Sequence, residues 1–506
     1  MAPAREGLLL AIDQGTSSTK AVLVDRDATV VASSSCPVGQ RHPGPGQVEQ
    51  SAEEIWASVQ RAVRTCVDRE LAARVVGVAI SVQRESVVLW DTVSGAAVGP
   101  ILSWQDRRLA TATAADALER GGHAPYIRSS TGLPLDPMFS ALKAGWLLDT
   151  YDPSRARAGT GAWKVGTLDA WLLSRFGGPA VTEIGNASRT QLLDIGGRQW
   201  DPTLLDLFDV PRAALPDVVA SLGPFPPARG LPPLPDGLPV LAVLGDSHAA
   251  LFAQARGAPG VVKATYGTGS SVMTLGRADA GDTSLCSTIA WQLPGTAGTA
   301  ADGVAHATEA NIRSTGRTIS WLADLFQVDP TALLAEAATA SSDEIILVPA
   351  FGGLAAPWWD RDATPVIIGV SLGTGRPQLA RAALESVAFQ IDDVITVLQR
   401  AAGPLALLAC DGGLTRSEVL MQLQADVSGL PVRISATPNL SALGAALLAG
   451  VGAGWWTLDG LPEPPGRATG AEVLPRIDAD TRARLRNRWA DAVARARSHQ
   501  RTKAAS

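Results

Sequence analysis

The chain has 506 residues, too many for one ordinary hydrophobic core, so two or more domains are expected. Hydrophobic residues make up 46% and charged ones only 18%, enough apolar surface for large buried sheets, which excludes long disordered spans. A net charge of −6 excludes a nucleic-acid binder that works by neutralising phosphates. The four cysteines (Cys36, Cys66, Cys286, Cys410) lie far apart with no Cys-x-x-Cys pair, the pattern of reduced thiols rather than of a disulfide or zinc framework. Met-Ala-Pro-Ala-Arg-Glu leads straight into an apolar strand and shows no export cleavage site. The longest uncharged apolar run, residues 442–456, spans 15 residues with four glycines, short for a bilayer and suited to a tightly packed internal helix. A cytoplasmic protein with no membrane and no nucleic-acid partner is expected.

Taken in order, residues 8–25 read as strand, turn, strand. An apolar run ends at Asp13, a Gly15-Thr16-Ser17-Ser18 turn follows, and residues 21–24 return. Backbone N–H groups and hydroxyls at such a tip suit phosphate oxygens, and Asp13 at its rim suits hydrated Mg²⁺. The same residues also make an ordinary polar hairpin. Residues 28–33 read as a third strand. Ser51-Ala-Glu-Glu54 opens a helix as a capping box. Residues 75–81 form a two-face-buried strand that ends in Gln83-Arg84-Glu85, where ligands of open α/β sheets bind. Trp104-Gln-Asp-Arg-Arg108 repeats that arrangement. The charges could form surface ion pairs of little worth, but two such clusters favour a polyhydroxy pocket, with Trp104 on C–H faces and Arg84 and Glu85 on hydroxyls.

Residues 163–176 read as one helix that stops at Gly177-Gly178. Residues 182–189 read as a polar connector without chemistry, and the proline-rich residues 213–237 as a stiff surface loop. At Gly245-Asp246-Ser247-His248 a strand gives way to a small-residue helix. Asp246 there can accept a proton in a cleft or cap the helix; His248 reads as structural. Residues 260–273 then repeat the opening hairpin, with Tyr266-Gly267-Thr268-Gly269 as the turn, which points to a domain-scale duplication. Asp411-Gly412-Gly413 ends another strand before a helix, a fold of chain that lets backbone approach a nucleotide. The tail from 478 onward has helical spacing and is expected to fold back on the surface.

These motifs, together with Asn186-Ala-Ser-Arg-Thr190, Pro349-Ala-Phe-Gly-Gly353 and Arg381-Ala-Ala-Leu-Glu-Ser-Val-Ala-Phe-Gln390, resemble the FGGY carbohydrate kinases from about residue 8 to 456, and within them most the glycerol-phosphorylating branch. The resemblance implies an α/β fold of two actin-like (ribonuclease-H-like) domains with ATP in the cleft between them. It assigns residues 1–254 to the N-terminal domain, 255–475 to the C-terminal domain and 476–506 to a helical tail. It implies Asp246 as general base, Asp13 and Asp246 at Mg²⁺, and Thr16, Ser17 and Lys20 near phosphates. Thr268, Gly316, Gly413 and Ser417 fall where ADP is contacted, with Ser417 in place of Asn. Arg84, Glu85, Trp104, Met138, Asp246 and Ser247 fall at the acceptor. Met138 stands where Tyr is usual, Ser247 where Gln is usual, and Ser271 where Phe is usual, so a roomier pocket for a tetritol, pentitol or ketose is expected. The acceptor is then a small polyol or sugar, and the assembly a homodimer or homotetramer. A non-catalytic actin-like sugar sensor is the alternative from another class, although no helix-turn-helix or basic arm accompanies it.

Overall fold

The structure, a computed structural model, describes residues 7–109, 113–278, 284–293, 303–360, 362–435, 437, 439–463 and 472–503. The chain forms two compact units. One comprises Met1–Gly257, Ser287–His306 and Asn439–Ala468; the other comprises Ala258–Cys286, Ala307–Pro438 and Thr469–Ser506.

The first unit is built on a sheet whose strands run in the order Val240–Gly245, Val75–Val82, Leu8–Gln14, Ser18–Val24, Val30–Pro37. The first three are mutually parallel and the last two antiparallel. Leu8 to Ile12 are all buried, as a continuous apolar run between two covered faces requires. Leu8, Leu10 and Ile12 meet Ile55, Trp56 and Val59 of the helix Ala52–Cys66. The opposite face is covered by the helix Leu440–Gly452, which packs on the strands Leu8–Gln14, Val75–Val82 and Val240–Gly245 and on the helix Asp246–Ala255. Ser51 caps the helix Ala52–Cys66 as expected, accepting from Glu54 N at 3.3 Å. The Glu54 carboxylate does not close the box; it accepts from Gly39 N at 2.8 Å and ties down the preceding loop instead.

A second sheet of the same unit orders Glu49–Gln50, Ile101–Leu102, Val87–Asp91 and Trp163–Thr167. The last strand corrects the single helix expected over 163–176. Trp163–Thr167 pairs antiparallel with Val87–Asp91, and the helix is only Leu168–Ser174. Trp163, Val165 and Thr167 favour extended chain, and pairing with an apolar partner strand settles the matter. The proline-rich stretch is also less superficial than expected. Ala228, Leu231 and Leu234 are buried in the main core of this unit.

The second unit repeats the design. Five of the six strands of its sheet run Val432–Ile434, Leu407–Asp411, Val261–Tyr266, Ser270–Leu275 and then Val304–Ile312, paired over Ala307–Ile312. The sense of each pairing matches the first sheet strand for strand: parallel, parallel, antiparallel, antiparallel. Gly15 N donates to Ser18 O and Gly267 N to Gly269 O, both at 3.0 Å, so a glycine closes each turn, the second over one residue fewer. The duplication read from the sequence is present in the sheets. The long helix Arg376–Ala402 fills the core of this unit. The terminal helix Ala479–Lys503 folds back, but one stripe of it is buried, with Trp489 stacked on Phe389 at 5.2 Å. No helix among the described residues is long and apolar enough to cross a membrane.

Candidate active site

Gln14, Val82 and Gly245 stand in register on three neighbouring parallel strands. The residues just beyond them therefore leave the sheet at one edge, the carboxyl end where open parallel sheets bind ligands. Asp13 lies one residue back, buried, and accepts from Ser81 Oγ at 2.9 Å. Burial pushes its carboxyl up to about 6; Lys20, its cross-strand neighbour, opposes the rise and the charge of Asp246 reinforces it. Asp13 and Asp246 are thus close enough to repel each other.

Arg84 and Glu85 follow the central strand, where Ser86 N donates to Arg84 O at 2.8 Å and Glu85 takes a φ of +63°. That left-handed backbone is uncommon outside glycine and marks a turn held by its surroundings. Ser140 Oγ donates to Glu85 O at 3.1 Å, and Arg189 Nε to Glu85 Oε1 at 2.6 Å. Arg84 is buried, with Nε 3.6 Å from Asp246 Oδ1 and 3.8 Å from Glu85 Oε1. Gly245 makes room for it, since a Cβ there would come within 2.6 Å of Arg84 Cγ and Cδ. Asp246 opens the helix Asp246–Ala255, but the cap position is Gly245, so Asp246 is not the helix cap. Its Oδ1 accepts from Ser247 N at 2.6 Å, and its side chain keeps 33% of its surface in solvent. Ser247, beside it, is half-buried.

Arg189 was not foreseen. It belongs to the segment read as a connector without chemistry, yet it is fully buried, stacked over the Phe139 ring at 5.0 Å, and bonded to a residue expected at the acceptor. Its neighbour Asn186 donates to Glu183 Oε2, whose carboxyl is raised to about 8 by burial against bonds from Ser221 and Asn186.

Trp104 donates from Nε1 to Thr16 Oγ1 at 3.0 Å, and from N to Ser86 Oγ at 3.1 Å. The turn expected at the phosphates and the expected acceptor wall are therefore joined directly. Ser17 is exposed at the turn tip and Lys20 is half-buried. Met138, half-buried, is held through its backbone: N donates to Asp136 Oδ1 at 2.9 Å, and its carbonyl accepts from buried Lys143 Nζ at 2.5 Å. Burial lowers Lys143 to about 8 against the pull of Glu85, Asp106 and Asp136. Arg108, by contrast, is spent on Asp106 and Glu49.

In the second unit, Thr268 is exposed at the tip of the second hairpin. Its carbonyl accepts from Arg317 N at 3.0 Å, while Gly316 N donates to Gly267 O at 3.0 Å, so Thr268 and Gly316 adjoin. Gly412 has a φ of +101°, and a Cβ on it would lie 2.4 Å from Tyr266 O. Only glycine lets the Gly412–Gly413 turn press on the end of the strand Val261–Tyr266. Gly413 is exposed there. Ser417 Oγ accepts from Leu420 N at 3.3 Å and caps the helix Glu418–Ser428. These four residues gather around the carboxyl ends of two adjacent parallel strands. Ser271 is half-buried opposite Thr265.

The profile of the FGGY family of carbohydrate kinases, N-terminal domain, matches residues 8–253, and that of its C-terminal domain matches residues 262–453. A glycerol kinase of Aromatoleum aromaticum is 42% identical over 97% of this chain and 98% of its own. An apulose kinase of Pectobacterium atrosepticum is 39% identical over 89% of this chain and 90% of its own. The crystal structure of Plasmodium falciparum glycerol kinase with ADP superposes with a TM-score of 0.88 at 27% identity, covering 98% of this chain and 99% of that one. With both profiles matched and relatives alike along nearly its whole length, the chain belongs to the FGGY family of carbohydrate kinases, enzymes that phosphorylate a sugar or polyol with ATP.

Proposed function

We propose that Asp246 is the general base of this kinase, taking the proton of a primary hydroxyl as the γ-phosphoryl group of ATP is transferred to it. The observation that carries the reading is the placement of Asp246. A partly solvated carboxylate stands at the end of a rigid strand, 3.6 Å from the Arg84 guanidinium that also faces Glu85. Phosphoryl transfer has a loose transition state, so holding the hydroxyl in line matters more than a strong base. Arg84, Glu85, Trp104, Met138 and Ser247 would hold the acceptor. Thr16, Ser17 and Lys20 would meet phosphate oxygens, and Thr268, Gly316, Gly413 and Ser417 the rest of the nucleotide.

Mg²⁺ fits the donor set of Asp13 and Asp246. Two carboxylates that repel each other, with one lysine nearby, suit a hard dication. Among the described residues no cluster of three or more His, Cys, Asp or Glu could hold a metal, which fits an ion that keeps waters and phosphate oxygens as its other ligands. When bound, the ion would neutralise charge on the phosphates.

For the acceptor, the reading is a polyol or ketose larger than glycerol, supported by Met138, Ser247 and Ser271 in place of bulkier residues. Relatives named for glycerol and for apulose resemble the chain about equally, 42% and 39%. Coupled ADP release against glycerol, tetritols, pentitols and pentuloses, with Asp246→Asn as control, tests both parts. Strong preference for glycerol would overturn the larger acceptor, and undiminished turnover by Asp246→Asn would overturn the base.

A further inference from the structure

His248 is the third residue of the helix that begins at Asp246, and it is fully buried. Its Nε2 lies 3.2 Å from Nη1 of Arg84. A guanidinium carries only donors, so Nε2 must be the acceptor and the ring must carry its proton on Nδ1. On its other edge the same guanidinium turns Nε toward Asp246 Oδ1 at 3.6 Å and Glu85 Oε1 at 3.8 Å.

We propose that His248 is a positioning residue for acceptor binding: by accepting from Arg84 Nη1 it fixes where the guanidinium sits and how it is rotated. The inference rests on the reading of Arg84 as an acceptor-binding residue. A planar fork held at one corner and attracted at another has little freedom left. Gly245 gives the methylenes of Arg84 their space but does not hold the head group. The chemistry of the anchor matters. A carboxylate at position 248 would draw the guanidinium away from Asp246 and Glu85 and neutralise the charge they share. An aliphatic side chain would take the His248 acceptor away from a buried guanidinium. A neutral imidazole acceptor fixes the geometry and leaves the positive charge for the two carboxylates and the acceptor hydroxyls.

The test uses the full chain with glycerol, erythritol and xylulose as acceptors. His248→Phe keeps an aromatic ring of similar bulk and removes the acceptor atom. It should raise the acceptor KM about ten- to a hundredfold while kcat and the ATP KM stay within about threefold, as expected for loss of one charge-assisted hydrogen bond made alike in ground and transition states. His248→Gln, whose amide oxygen can accept in the same place, should recover most of the loss. In the Arg84→Ala background His248→Phe should add nothing further.

An unchanged acceptor KM in His248→Phe, with a raised one in Arg84→Ala, would overturn the positioning role and leave the Arg84 reading intact. An unchanged KM in Arg84→Ala would overturn the Arg84 reading itself. Additive losses in the double variant would also overturn the positioning role. Nitrogen-15 NMR of the histidine rings decides the same point without turnover. The signal that disappears in His248→Gln should be the Nδ1–H tautomer, and an Nε2–H ring there would overturn the inference.

Discussion

Arg189 donates from Nε to Glu85 Oε1 at 2.6 Å, with 0% and 7% of the two side chains exposed. The bond holds Glu85 in its left-handed turn and compensates its charge where water cannot. The adjoining Phe139 ring fixes the plane of the guanidinium from which the bond is made.

Arg189→Met should therefore cost about 3–5 kcal/mol in chemical denaturation, because it takes the short Arg189 hydrogen bond from a buried carboxylate. Adding Glu85→Gln should recover part of that loss. The exposed pair Arg212–Asp217, with 53% and 73% of its side chains in solvent, is the contrast, since Asp217→Asn should change stability by about 1 kcal/mol or less.

Asp246→Asn should lower kcat by a hundredfold or more, within the roughly 10²–10⁴ range of a positioned base. ADP affinity measured by calorimetry without Mg²⁺ should not move.

Asp13→Asn should raise the Mg²⁺ concentration for half-maximal turnover by about tenfold or more, since affinity follows the charge of the ligand set. Because burial places the Asp13 carboxyl near 6, above its usual 3.8, the native protein at pH 8 bears an ionised group it would rather protonate. The metal-free variant should accordingly melt no lower than the metal-free parent at pH 8. A lower melting temperature would show that Asp13 contributes structure through bonds the asparagine cannot replace.

Glu183 makes its own contribution to the pH dependence of folding. Its carboxyl moves from 4.5 to about 8 on folding, chiefly through burial. Between those values the unfolded chain releases a proton that the native state keeps, so this group's contribution to stability falls as pH rises from about 4.5 to about 8 and is then level. Glu183→Gln should remove this group's part of the slope, and thermal melts should show its advantage over the parent growing from pH 5 to pH 8.

Gly412→Ala must place a Cβ 2.4 Å from Tyr266 O at a φ of +101°. The turn has to shift, so the ATP KM should rise while the acceptor KM stays as it was. Steady-state kinetics with each substrate varied in turn checks this.

Much of this was legible in the sequence because the signals are local. The two hairpins announce themselves in Gly15-Thr16-Ser17-Ser18 and Gly267-Thr268-Gly269, and four successive strand pairings around them agree in sense. Asp246, Arg84 and Glu85 could be placed at strand ends, because apolar runs stop abruptly before polar residues. What was missed depends on partners distant in sequence. Arg189 and Glu85 are 104 residues apart, and nothing in the run Asn186-Ala-Ser-Arg names the carboxylate it serves. His248 was read as structural, and only the fold shows that it touches Arg84. The strand Trp163–Thr167 was absorbed into the following helix because both are apolar, and its pairing with Val87–Asp91 was invisible. Glu54 fits the capping pattern, yet it is claimed by Gly39.

The helix Leu440–Gly452 covers one face of a sheet whose last strand, Val240–Gly245, leaves the ribosome far earlier. At about 5–20 residues per second the intervening chain takes roughly 10–40 s to synthesise. Throughout that interval Leu9 and Ala11, which point away from the helix Ala52–Cys66, have no cover. The nascent first unit is thus an unfinished layer with an apolar face open to chaperones or to its neighbours on the same message. Yield in the cell will turn on how quickly residues 440–452 arrive.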